Sequence, residues 1–166
     1  MADRRSEMIW SQFGASIDML ENAIEACPDE VWGSAAGFQE FWYLSFHTLF
    51  WLDLYLHGPI EGFRPPEPFG SEELDPAGVF PDRVYRKDEL LDYLRHCRKR
   101  LRNTLNSMDN AAAARTITHG TRKMSFEELL WYNMRHVQHH TAQLNLILRQ
   151  RTDAAPSWVS KTKESL

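Results

Sequence analysis

The chain has 166 residues, 43% hydrophobic and 25% charged, the composition of a globular protein large enough to bury a core without disulfide or metal staples. A net charge of -4 and a pI near 6.0 provide no basic field for phosphate backbones, so nucleic acid is not an expected partner. Cys27 and Cys97 lie far apart and outside any CxxC spacing, which argues against a disulfide framework or a thiolate zinc site.

The stretch MADRRSEMIW lacks an apolar signal core, and no run approaches the roughly 20 apolar residues that cross a bilayer. A single domain over residues 1–166, in a reducing cytoplasm and without a membrane partner, is the expectation.

Four segments carry helical periodicity. Trp10, Phe13, Ile17, Leu20 and Ile24 step by threes and fours, the stripe of an amphipathic helix that stops before Pro28. Residues 28–37 are predicted as a loop with room for one helical turn after Pro28. The second helix, from about Gln39 to His57, is dense in aromatic residues and ends at Gly58-Pro59. Residues 58–86 are rich in Pro and Gly and cannot sustain a long helix. A connection of that length can travel the whole molecule, and its Phe63 and Phe69 are expected to help shape the entrance to a site.

The third helix runs from about Lys87 to Met108. Leu90, Leu94, Cys97, Leu101, Leu105 and Met108 share one face, while Arg95, Arg98, Lys99 and Arg102 are predicted to lie on a wet side. A weak hairpin signal surrounds His119-Gly120. The fourth helix starts at the capping-box pattern Ser125/Glu128 and continues to about Arg149. In the tail, Trp158 is expected to dock. The fold class read from this pattern is an all-α four-helix bundle in up-down-down-up order, with a long crossover between helices two and three.

The fourth helix also holds His136, His139 and His140. At about 100° per residue, His136 and His140 lie about 40° apart beside the apolar stripe, and His139 falls toward the rim. The i, i+4 spacing lets two imidazoles reach one ion, with a third ligand arriving from elsewhere. His47, on the apolar face of the second helix and flanked one turn either way by Tyr43 and Trp51, is the best candidate for it. His57, His96 and His119 are expected to face solvent.

A lone histidine on an apolar face is ordinarily a satisfied core or rim residue, and the i, i+4 pair alone is common. Their combination on two facing helices makes a metal site the reading to test. Three neutral imidazoles suit Zn²⁺ or Ni²⁺ and leave positions open for water or substrate. Other metal and catalytic patterns are absent: no Glu-x-x-His pair for a di-iron bundle, no HExxH, no CxxCH, no phosphate-binding glycine loop and no GxSxG elbow. A noncovalent haem would leave one histidine unexplained. The aromatic run of helix two reads as core, and Cys97 as a small buried hydrophobe.

With His47 in SFHTLFWLDLYL and the HxxHH-x-x-Q pattern of His136, His139, His140 and Gln143, the chain resembles the DinB superfamily of DinB/YfiT-like metalloenzymes over nearly its whole length. Ala142 stands where the familiar HHxGQ form has Gly. The resemblance implies a four-helix bundle, commonly a homodimer, with His47, His136 and His140 as ligands to a divalent ion. It also implies an activity seen among characterised relatives, transfer of a low-molecular-weight thiol to a small electrophilic substrate.

His139, Gln143, Tyr43 and Trp51 are expected to support the ligands or touch substrate, with no catalytic residue assigned. A hydrolase would need a general acid or base, and Glu40 is the carboxylate expected on the helical face of His47. A non-catalytic metal or small-ligand binding protein, or a scaffold with a vestigial site, is the alternative from another class.

Overall fold

The computed structural model describes residues 4–166, so Met1 to Asp3, the start of the stretch read as lacking a signal core, lie outside the described residues. The elements in order are α1 (Arg4–Ala26), α2 (Asp29–Trp32), α3 (Phe41–His57), α4 (Lys87–Ser107), α5 (Asn110–Ala114), β1 (Thr116–His119), β2 (Arg122–Ser125) and α6 (Phe126–Thr152). The protein is mostly helical, consistent with an all-α fold, with one small hairpin. No helix among the described residues is long and apolar enough to cross a membrane.

Four long helices carry the core. α1 and α3 each pack against both α4 and α6. The α1 stripe Trp10, Phe13, Ile17, Leu20 and Ile24 is buried throughout, and so is the α4 stripe Leu90, Leu94, Cys97, Leu101 and Leu105. α3 is buried almost all round, because the crossover covers what α4 and α6 leave open. It stops at Gly58, whose φ of 101° closes the helix by bonding its N–H to Leu54 O.

Pairings along the helices fix their relative positions. Ser6 Oγ donates to Leu105 O, while Lys87 Nζ reaches Cys27 O at the other ends of the same two helices. Asn133 Nδ2 of α6 donates to Leu52 O of α3. Arg98, placed on the wet side of α4 by sequence, is buried, because Asp18 and Glu21 of α1 draw its guanidinium inward. Asp53 of α3 is wholly buried against α4, where Tyr93 Oη (3.2 Å), Arg100 Nη1 (3.0 Å) and His96 Nε2 (3.3 Å) surround its carboxylate.

The crossover is a packed layer with one short 3-10 turn, Glu72–Leu74. Phe69 stacks on Tyr93 at 4.5 Å and Phe63 meets Phe50 edge-on at 5.4 Å. These two rings are therefore core, not entrance as expected from sequence.

The hairpin forms around Gly120 (φ 60°), with Ile117 opposite Met124. His119, expected in solvent, is buried: its Nε2 bonds Gly58 O and its ring stacks on Tyr55 at 5.4 Å. Ser125 Oγ then accepts the Glu128 amide and starts α6.

The tail docks, but not through Trp158, which is 70% exposed. Thr162 N donates to Ser11 O at 3.0 Å, and Trp10 Nε1 donates to Glu164 O at 2.7 Å. Gly14 permits this approach, since a Cβ there would lie 2.8 Å from Thr162 Cγ2. Gly14→Val is expected to release the tail while α1 stays helical, read as faster proteolysis after residue 155 with little change in far-UV ellipticity.

Candidate metal centre

His47 lies in the middle of α3, and His136 and His140 lie one turn apart on the facing side of α6. The ring centroids are 4.9 Å apart for His47 and His140, 5.4 Å for His47 and His136, and 4.5 Å for the α6 pair. One ring nitrogen from each comes within 4.8 Å of the others, so the three form a group that could hold a metal ion.

Hydrogen bonds set the tautomers. His47 Nδ1 lies 2.7 Å from Glu73 Oε2, and a carboxylate can only accept, so Nδ1 carries a proton and Nε2 is the nitrogen left to face an ion. His140 Nδ1 donates to Gln143 Oε1 at 2.7 Å, which again leaves Nε2 for an ion. His136 has a buried Nδ1 with no hydrogen-bond partner. A buried polar atom without a partner is costly to keep in a structural role, and an ion at this group would give the ring a purpose. The donor set fits a divalent ion on all three counts.

The electrostatics agree. Burial, reinforced by the neighbouring imidazoles, pushes the His136 pKa down to about 3. Burial also lowers that of His140 to about 4, against the opposing hydrogen bond to Gln143. Both rings are neutral at pH 7, the form that ligates.

A stability prediction follows for metal-stripped protein. An unfolded histidine titrates near 6.5, above both folded values, so the unfolded chain binds more protons below that pH. Stability is fully present above about pH 6.5 and is lost as pH falls toward 4. Urea midpoints measured at pH 7 and pH 5 check this, and a variant lacking His136 is expected to show a shallower decline.

Glu73 is the residue that sequence reasoning missed. It sits on the crossover's 3-10 turn and accepts from Tyr43 Oη at 2.6 Å, His47 Nδ1 at 2.7 Å and Trp51 Nε1 at 2.8 Å. Burial favours its neutral form, but these donors together outweigh that and hold the carboxyl below its ordinary value. Tyr43 and Trp51 therefore meet the ligand set through this carboxylate. Glu40, the carboxylate expected near His47, instead precedes α3 and accepts from the Ser34 amide at 3.2 Å.

His139 is exposed, with its ring 5.0 Å from that of His140, and it borders an open cleft beside Tyr132, Arg135 and His136. Neither cysteine offers a thiolate at neutral pH: burial pushes Cys27 up to about 12 and raises Cys97 well above its ordinary value.

No curated protein matches the chain. The family model of the DinB superfamily matches residues 12–144, a span that holds His47, His136, His140 and Gln143. By that match the chain belongs to the DinB superfamily.

Proposed function

We propose that the protein is a metal-dependent transferase that joins a low-molecular-weight thiol to a small electrophile, with zinc or nickel held by His47, His136 and His140. The observation that carries this over hydrolysis is the state of Glu73. Its two oxygens already accept three hydrogen bonds, and its pKa is held down, so it is a poor general base for water. The nucleophile then comes from the substrate, because both protein thiols are buried and protonated.

A bound zinc or nickel ion would supply Lewis acidity that lowers the pKa of a thiol. The chain's own part is to present three imidazole nitrogens, to fix His47 through Glu73 and to fix His140 through Gln143. In the reaction a sulfur–carbon bond forms as the carbon–leaving-group bond breaks. The leaving group departs with its electron pair, and the thiol proton passes to solvent.

The same reading includes a homodimer, a cytoplasmic setting and up-down-down-up helix order. The order is supported by the end-to-end pairings of α1 with α4 and by the opposed pairs His47/His140 and Tyr55/Tyr132 between α3 and α6.

Glutathione, cysteine, coenzyme A, bacillithiol and mycothiol, each with a panel of aryl and alkyl electrophiles, test the reaction by mass spectrometry of the adducts. Adducts that form only with zinc- or nickel-loaded protein are the expected result. Metal bound in full with no metal-dependent adduct from any pair would turn the reading to a non-catalytic binding protein.

A further inference from the structure

Large apolar side chains exposed singly are ordinary, but exposed aromatic rings that converge on a polar centre from two separate loops are not. Phe38, on the loop before α3, is 52% exposed, and Phe80, on the crossover, is 43% exposed. Phe38 meets His47 edge-on at 4.9 Å and Tyr43 edge-on at 5.3 Å. Phe80 meets the same Tyr43 ring at 5.0 Å.

The backbone helps present both rings. Gly37, directly before Phe38, has φ 147°, and Gly78, two residues before Phe80, has φ 68°, conformations that other residues adopt only under strain. Tyr43 is 4% exposed, and its hydroxyl is tied to Glu73, so its ring is a fixed floor beneath the two exposed rings. Of the carboxylates near this ring, Glu73 is already engaged by three donors, while Glu72 also acts on the Tyr43 hydroxyl through its charge. The surface therefore offers the exposed rings of Phe38 and Phe80 with carboxylates behind them, which disfavours an anionic group.

We propose that Phe38 and Phe80, over the Tyr43 ring, form a specificity-determining subsite that takes a flat aromatic group without negative charge and holds it beside His47. The assignment rests on the thiol-transfer reading and gives the electrophile of that reaction an aryl or similarly flat apolar portion. Aromatic rings at edge-on distances favour such a group over a flexible polar one.

The test uses full-length zinc-loaded protein and an unreactive probe, 2-naphthylmethanol, followed by saturation-transfer NMR, with triethylene glycol as the polar control. The variants are Phe38→Ser and Phe80→Ser, two exposed loop positions outside the histidine group. Expected are binding of the naphthyl probe alone, a Kd raised about tenfold or more in each variant, and unchanged zinc content.

No probe binding to wild type, or equal binding to wild type and both variants, overturns the proposal. So does a wild-type self-association that both variants abolish while the probe fails to bind, because the rings would then cover a second copy of the chain. If no thiol and electrophile pair reacts yet probe binding remains sensitive to both variants, the proposed reaction fails and the subsite stands. If aryl and alkyl electrophiles turn over alike and both variants are indifferent, the subsite fails and the reaction stands.

Discussion

His136→Leu abolishes stoichiometric zinc or nickel binding and, in the same protein, raises the melting temperature of the metal-free form by roughly 2–4 °C. The two effects have one cause. The ring's Nδ1 is buried without a partner, and burial with like neighbours already forces the imidazole neutral, so in the absence of an ion it is a polar group kept at a cost. Leucine, of similar size, removes that cost, worth about 1 kcal/mol, together with one of the three ligands. Elemental mass spectrometry and calorimetry of untagged protein measure both. His47→Ala and His140→Ala are expected to lose the ion as well. A destabilised metal-free His136→Leu that still binds its ion would mark His136 as a core residue and sink its role as ligand.

Glu73→Ala lowers metal affinity by about 10–100-fold without touching a ligand, the usual effect of removing the group that orients a ligating histidine. It also strands the Tyr43 hydroxyl and the Trp51 indole N–H, which costs about 1–3 kcal/mol of stability. Glu73→Gln separates geometry from charge. Its carbonyl can accept from His47 and Trp51 while its amide donates to the Tyr43 oxygen, so stability is largely restored. The negative charge behind the ligating ring is still lost, and affinity recovers only in part. Isothermal titration with zinc and urea unfolding of both variants provide the two readouts. Equal affinities in wild type and Glu73→Ala would reduce this carboxylate to a purely structural clasp.

Glu73 also shows where the sequence stops being legible. The long helices were readable because their apolar residues repeat with helical period, and the histidine pair and His47 were readable because that period places them on one face. Glu73 reaches His47 from 26 positions away, on a short turn in a Pro- and Gly-rich connection with no period to follow. The same limit moved Phe63 and Phe69 from a supposed entrance into the core, and His119 from solvent to a buried stack on Tyr55. Arg98 followed the wheel but not its expected exposure, since two acidic partners on α1 reward burial of its guanidinium. One clue to the tail was present in the sequence. Gly14 lies inside α1 beside the apolar stripe, and a glycine inside a helix often marks a close approach by another segment.

The buried carboxylate of Asp53 sets the longitudinal register of α3. Sliding α3 past α4 by one helical turn, about 5.4 Å, would carry this charge away from Tyr93, His96 and Arg100 and leave it stranded in apolar surroundings. The pair of helices is thus a keyed shaft, held against a shift along its length. His47 rides on the same shaft, six positions before the key. Its depth opposite His136 and His140 is thereby inherited from an ion pair that never touches the metal centre.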